Sequence, residues 1–117
     1  MKLAIVIFAD IDTHGDLGRA VNALQTAREA DECGDDVRVV FDGAGTGWIG
    51  AMADPAHRSH PLFAAVRHRI AGACMYCANA FGHSAAIEAA GIPLLDEYRQ
   101  HPSLRGLAHD GYVVITF

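Results

Sequence analysis

Apolar and polar positions along this chain fall into blocks that switch repeatedly between a strand-like and a helix-like period. Residues 2–8 form a continuous β-rich apolar run, the pattern of a strand covered on both faces. A polar turn occupies 10–15. Beyond it Leu17, Val21, Leu24 and Ala27 recur at helical spacing on a charged background. Thr13, with Asp16 three residues on, offers a capping-box-like start, and Gly34 marks the end. The alternation then repeats. Residues 37–41 predict a second strand, 42–47 a glycine-rich loop, and 48–53 a short helical turn before Pro55. Ser59-His60-Pro61 opens a helix that runs to about Arg69. Residues 70–74 predict a third strand, short and rich in small side chains. A brief helix opens around Tyr76 or Cys77 and breaks near Gly82; another covers 84–90. Residues 92–95 predict a fourth strand, His101-Pro102-Ser103 starts the last helix, and 112–117 predict a fifth strand.

Strands alternating with helices imply an α/β fold with a parallel sheet and helices on both faces. The connections are short, with no linker, repeat or low-complexity segment, so residues 1–117 read as one domain. In open α/β sheets the functional groups gather beyond the carboxyl ends of the strands. The turns after the first three strands carry 10–14, 42–48 and 74–77.

Composition narrows the function classes. Of 117 residues, 51% are hydrophobic and 20% charged, a globular balance. The formal net charge is −5 and the basic residues are scattered, which argues against a nucleic-acid backbone or an anionic membrane surface as partner. The apolar run at 2–8 is short for a signal peptide and is followed by Asp10, and no run reaches the length of a membrane span, so the expected location is cytoplasmic. Three cysteines make no disulfide framework; in a reducing compartment they serve packing, catalysis or metal binding.

The sharpest feature is Cys74-x-x-Cys77 at the end of the third strand. Unpaired cysteines also pack as small apolar residues, but two thiols at a strand's carboxyl end favour chemistry. At a helix start, backbone N–H groups and the helix dipole are expected to lower a thiol's pKa. Three chemistries use such a pair. Thiol–disulfide exchange fits the spacing, but no Trp precedes Cys74 and Met75-Tyr76, not Gly-Pro, separates the cysteines. A zinc site lacks a second C-x-x-C, so His83, His14 or a partner subunit would have to complete it. Carriage of sulfane sulfur as a persulfide needs one accessible thiolate, and a second thiol can resolve it.

The surrounding strand-end turns supply the candidate pocket: Asp10, His14, Asp42, Gly43, Trp48 and His83. Asp10, Asp12 and Asp42 also suit loop capping, and Cys33 suits packing. Gly45, Gly47 and Gly50 match G-x-G-x-x-G, yet the match follows the second strand and Pro55 cuts the helix short. It reads as a tight loop of positive-φ glycines rather than a dinucleotide fingerprint. None of the seven histidines shows H-x-x-x-H spacing, so no metal is assigned and no cofactor is implied.

The order of these pieces resembles the DsrE/DsrF-like (YchN-like) family. The resemblance covers nearly the whole chain and is carried by the strand at 2–8, Val37-Arg38-Val39-Val40-Phe41-Asp42-Gly43 with its glycine loop, Ala71-Gly72-Ala73-Cys74-Met75-Tyr76-Cys77, and the ending Asp110-Gly111-Tyr112-Val113-Val114-Ile115-Thr116-Phe117. It implies a three-layer α/β/α sandwich around a five-stranded, largely parallel sheet. It also implies a homo-oligomer, trimeric or hexameric, and a persulfide-bearing cysteine at the third strand's end, here Cys74, serving a sulfur-relay protein partner. Cys77 is matched only in some members of that family.

Overall fold

The computed structural model describes residues 1–117 throughout. The elements run in the order β1 (Lys2–Ile7), α1 (His14–Glu32), β2 (Asp36–Phe41), a 3-10 turn (Gly43–Thr46), α2 (Gly47–Ala53), α3 (His60–Val66), a second 3-10 turn (Arg67–Arg69), β3 (Ile70–Cys74), α4 (Met75–Ala80), α5 (Ser84–Ala89), β4 (Leu94–Leu95), α6 (Leu104–His109) and β5 (Val113–Thr116). The five strands form one sheet in the order β4-β3-β2-β1-β5, and every pairing is parallel. This is the α/β sandwich the alternation predicts. No helix is long and apolar enough to cross a membrane.

Side-chain alternation divides the strands between two cores. Leu3, Ile5 and Ile7 of β1 join Val37, Val39 and Phe41 of β2 on one face, against Ala20, Ala23, Leu24 and Ala27 of α1. The small residues of α1 let the helix lie close on the sheet. Ala4, Val6 and Val40 point the other way, into a smaller core closed by Leu107 and Tyr112. The second helical layer is therefore thin. At the β5 edge, Val113 and Ile115 lie on the α1 side of the sheet but stay 52% and 37% exposed, because α1 does not reach them.

Local chemistry sets the loops that approach the site. Thr13 caps α1 by accepting from the Asp16 N–H at 3.1 Å, as the sequence predicts. Trp48 is buried and donates from Nε1 to the Ala9 carbonyl at 2.7 Å, tying α2 to the end of β1. The glycine loop differs from its sequence reading. Gly45, Gly47 and Gly50 all have ordinary negative φ; they are small because neighbours are close. A Cβ on Gly45 would stand 2.2 Å from the Ile7 carbonyl oxygen. Only Gly43 of this loop takes a left-handed φ, +55°.

A register shift between Val39 and Val40 interrupts the β2–β3 pairing just before the strand end. Such bulges re-aim the residues that follow. Gly72 leaves room there for Pro93 and Leu95, and the Ala73 N–H donates to the Pro93 carbonyl at 3.0 Å. Cys74, the last residue of β3, is thereby held between β2 and the short β4.

Candidate functional site

Three side chains converge beyond the carboxyl ends of β3 and β4: Cys74, Cys77 and His101. Their two sulfurs and a ring nitrogen lie within 4.8 Å of one another. Cys74 ends β3 and is the N-cap of α4; its Sγ accepts from the Cys77 N–H at 3.4 Å. Cys77 lies on the first turn of α4, which brings its thiol back over the cap. His101 Nδ1 stands 3.2 Å from Cys74 Sγ.

His101 reaches this position on an unusual turn. Tyr98 and His101 exchange two backbone hydrogen bonds, at 2.9 and 2.8 Å, around Arg99 and Gln100. Both central residues are left-handed, with φ of 47° and 68°. Two-residue loops of this hand usually use Asn-Gly, since a Cβ there costs ~1–2 kcal/mol per residue. The surrounding contacts sustain that cost. The Gln100 carbonyl accepts from the Tyr76 N–H at 2.9 Å and faces the Cys74 thiol at 3.8 Å, and the Tyr76 ring lies over the imidazole with centroids 5.0 Å apart. Of the His101-Pro102-Ser103 helix start expected from sequence, Ser103 is the cap and α6 begins at Leu104, while His101 belongs to the turn before it.

The electrostatics also depart from expectation. The Cys77 N–H does favour the Cys74 thiolate, but burial outweighs it. Burial, with the Cys77 thiol and the Asp42 carboxylate nearby, pushes the Cys74 thiol up to about 12. Cys74 has no exposed surface, whereas Cys77 is half-buried. At neutral pH Cys74 is therefore a protonated, enclosed thiol with an imidazole beside it. Cys77 Sγ faces Asp42 Oδ1 at 3.5 Å, and the same oxygen accepts from the Gly43 N–H at 2.8 Å. Asp42 and Gly43 thus belong to the site.

The other sequence candidates lie elsewhere. Asp10 is exposed and caps its own loop, accepting from the Ile11 N–H at 2.7 Å. His14 is exposed at the first turn of α1. His83 Nδ1 pairs with Thr46 Oγ1 at 2.9 Å and the ring stacks on Phe81, which joins α5 to the glycine loop rather than to the thiols. Trp48 belongs to the core. The sequence reading missed His101 because it applied the strand-end rule to three strands; the turn after β4 completes the site. The largest surface groove, about 390 Å³, lies away from the cysteine pair, between α1 and β5, and is lined by Leu3, Ala30, Cys33, Val113 and Ile115 among others.

No protein-family model, curated protein or solved structure matches the chain.

Proposed function

We propose that this chain is a sulfur carrier that holds sulfane sulfur as a persulfide on Cys74, as its resemblance to the DsrE/DsrF-like family implies. The observation that supports it is the contact of the buried Cys74 thiol with His101 Nδ1 at 3.2 Å, beside a second, half-exposed thiol. A thiol pushed up to about 12 needs a base to react at neutral pH, and the imidazole is placed to serve.

Burial orders the steps. A donor persulfide, R–S–SH, meets Cys77 first. The Cys77 sulfur attacks the outer sulfur, the donor S–S bond breaks, and R–SH leaves with the proton. Cys77 now carries –S–SH. Cys74 then gives its proton to His101 Nδ1 and attacks the outer sulfur of that persulfide. The Cys77 S–S bond breaks, Cys77 leaves as thiolate, and His101 returns the proton to it. The sulfane sulfur rests on Cys74, shielded from small thiols. In the absence of an acceptor, Cys77 can attack the inner sulfur of Cys74, giving a Cys74–Cys77 disulfide and hydrosulfide. No outside oxidant or reductant enters any step.

Assembly into a homo-oligomer, trimeric or hexameric, is part of the same proposal. The uncovered apolar face at Val113 and Ile115 is one surface available for it. The test of function is intact mass after incubation with a sulfane donor. One added sulfur that survives a brief thiol wash in the native chain, and is lost from Cys74→Ser, supports the proposal. A native chain that gains no sulfur contradicts it.

A further inference from the structure

We infer that Cys74, Cys77 and His101 form a three-ligand site for a borderline-soft divalent cation of the zinc class, with the fourth position left to an exchangeable ligand. Around tetrahedral zinc, with Zn–S of ~2.3 Å and Zn–N of ~2.0–2.1 Å, ligand atoms stand ~3.5–3.8 Å apart. Here all three ligand atoms already lie within 4.8 Å of one another, and Cys74 Sγ and His101 Nδ1, at 3.2 Å, need open by only a few tenths of an ångström. The ligands come from three separately anchored pieces, the end of β3, the first turn of α4 and the left-handed turn at 98–101. The set is therefore assembled by the fold rather than by one flexible loop.

A second observation points to a cation. Asp42 is buried at 8% exposure with no Lys, Arg or His partner within 4.0 Å; its contacts are the Gly43 N–H and the Cys77 thiol. The other buried acid, Asp16, is paired with Arg19 and Thr13. A buried carboxylate without a cationic partner is costly, even with these hydrogen bonds. A dication beside Cys77 would offset that cost. Asp42 stands outside the set of three; a metal-bound Cys77 has no thiol proton left to give it, so its part is that of a nearby negative charge facing the dication. Three protein ligands, two thiolates and an imidazole, make the set of a zinc site that takes one exchangeable ligand rather than of a closed four-ligand structural one.

Binding would release the two thiol protons to solvent and oxidise nothing. It would also occupy both sulfurs that the carrier reading uses, so metal and sulfane sulfur would exclude one another. The inference does not depend on that reading. A metal titration contains no sulfur donor, so either can fail alone.

The test is anaerobic titration of the reduced chain with Co²⁺, then Zn²⁺. The expected result is one Co²⁺ per chain, with thiolate-to-cobalt charge-transfer absorption and the visible bands of a tetrahedral site, both bleached by Zn²⁺. Cys33→Ser should match the native chain. Cys77→Ser and His101→Ala should each weaken binding by more than the ~10–100-fold that outer-neighbour changes cost, and Asp42→Asn should fall within that range. Cys77 and His101 are partly exposed, so their variants carry the test even if Cys74→Ser does not fold. Absence of charge-transfer absorption, equal affinity in His101→Ala, or one cobalt shared by two chains would each overturn the inference.

Discussion

Cys74 and His101 are 27 positions apart in sequence, yet the sulfur of one lies 3.2 Å from Nδ1 of the other, and the Tyr76 ring packs on the imidazole. The pairing gives an enclosed thiol a route to lose its proton. His101→Ala should therefore slow transfer of sulfur onto Cys74 by ~10²–10⁴, the range typical of a lost acid–base group. Loading of Cys77 should be little changed. Quenched time courses with the two sites resolved by peptide mapping would check this, and equal rates in both proteins would count against the role of the imidazole.

Burial should order the reactivity of the three thiols. Cys33 is exposed and Cys77 half-buried, while Cys74 has no exposed surface and its thiol is pushed up to about 12. At neutral pH a limiting amount of iodoacetamide should label Cys33 and Cys77 well before Cys74. Under denaturing conditions the three should react alike. Early labelling of Cys74 in the folded chain would contradict the enclosed geometry.

The glycine loop is a packing device, so its most closely packed glycine, Gly45, should be sensitive. Gly45→Ala places a Cβ 2.2 Å from the Ile7 carbonyl oxygen, against backbone that cannot simply rotate away. Overpacking of this kind costs ~1–3 kcal/mol, and a backbone contact belongs at the upper end. Urea unfolding of Gly45→Ala should show a lowered midpoint with unchanged slope.

Asp31 joins α1 to the turn before β3. Hydrogen bonds from Arg69 Nε at 2.6 Å and His68 Nε2 at 2.8 Å hold its carboxyl below the ordinary 3.8. A carboxylate held low stabilises the folded chain above its unfolded pKa and ceases to do so as pH falls through the folded value. Asp31→Asn should therefore melt lower than the native chain at neutral pH. The gap should close once the pH drops below the ordinary carboxylate range. A gap that persists in strong acid would place the effect in packing instead.

The fold was legible because period and caps agree. The apolar run at 2–8 and the Thr13–Asp16 cap became β1 and the start of α1, and the small third strand ends at Cys74 as its composition suggests. The strand order was not legible. Placing β5 beside β1 depends on long-range pairing, Leu3 with Val113 and Ile5 with Ile115, that no local pattern encodes. At the site, the two cysteines were visible from spacing and the strand-end rule, and Asp42 from the second strand's end. His101 was hidden because Arg99 and Gln100 carry no turn signature; only tertiary contacts hold them left-handed. The thiol's pKa was misjudged for a related reason. Helix-start chemistry is local, whereas the burial that overrides it is tertiary: the 98–101 turn, 24 or more residues away, sets the Gln100 carbonyl and the His101 ring against the sulfur.

In the proposed function, sulfane sulfur passes from Cys77 to rest on Cys74. The most direct measurement is a single-turnover reaction with a limiting sulfane donor, quenched by alkylation at successive times and mapped by peptide mass. Sulfur should appear first on Cys77, decline there as it rises on Cys74, and remain on Cys77 in Cys74→Ser, where small thiols should strip it quickly. Sulfur that never reaches Cys74 in the native chain, under conditions in which Cys77 is fully loaded, would contradict it.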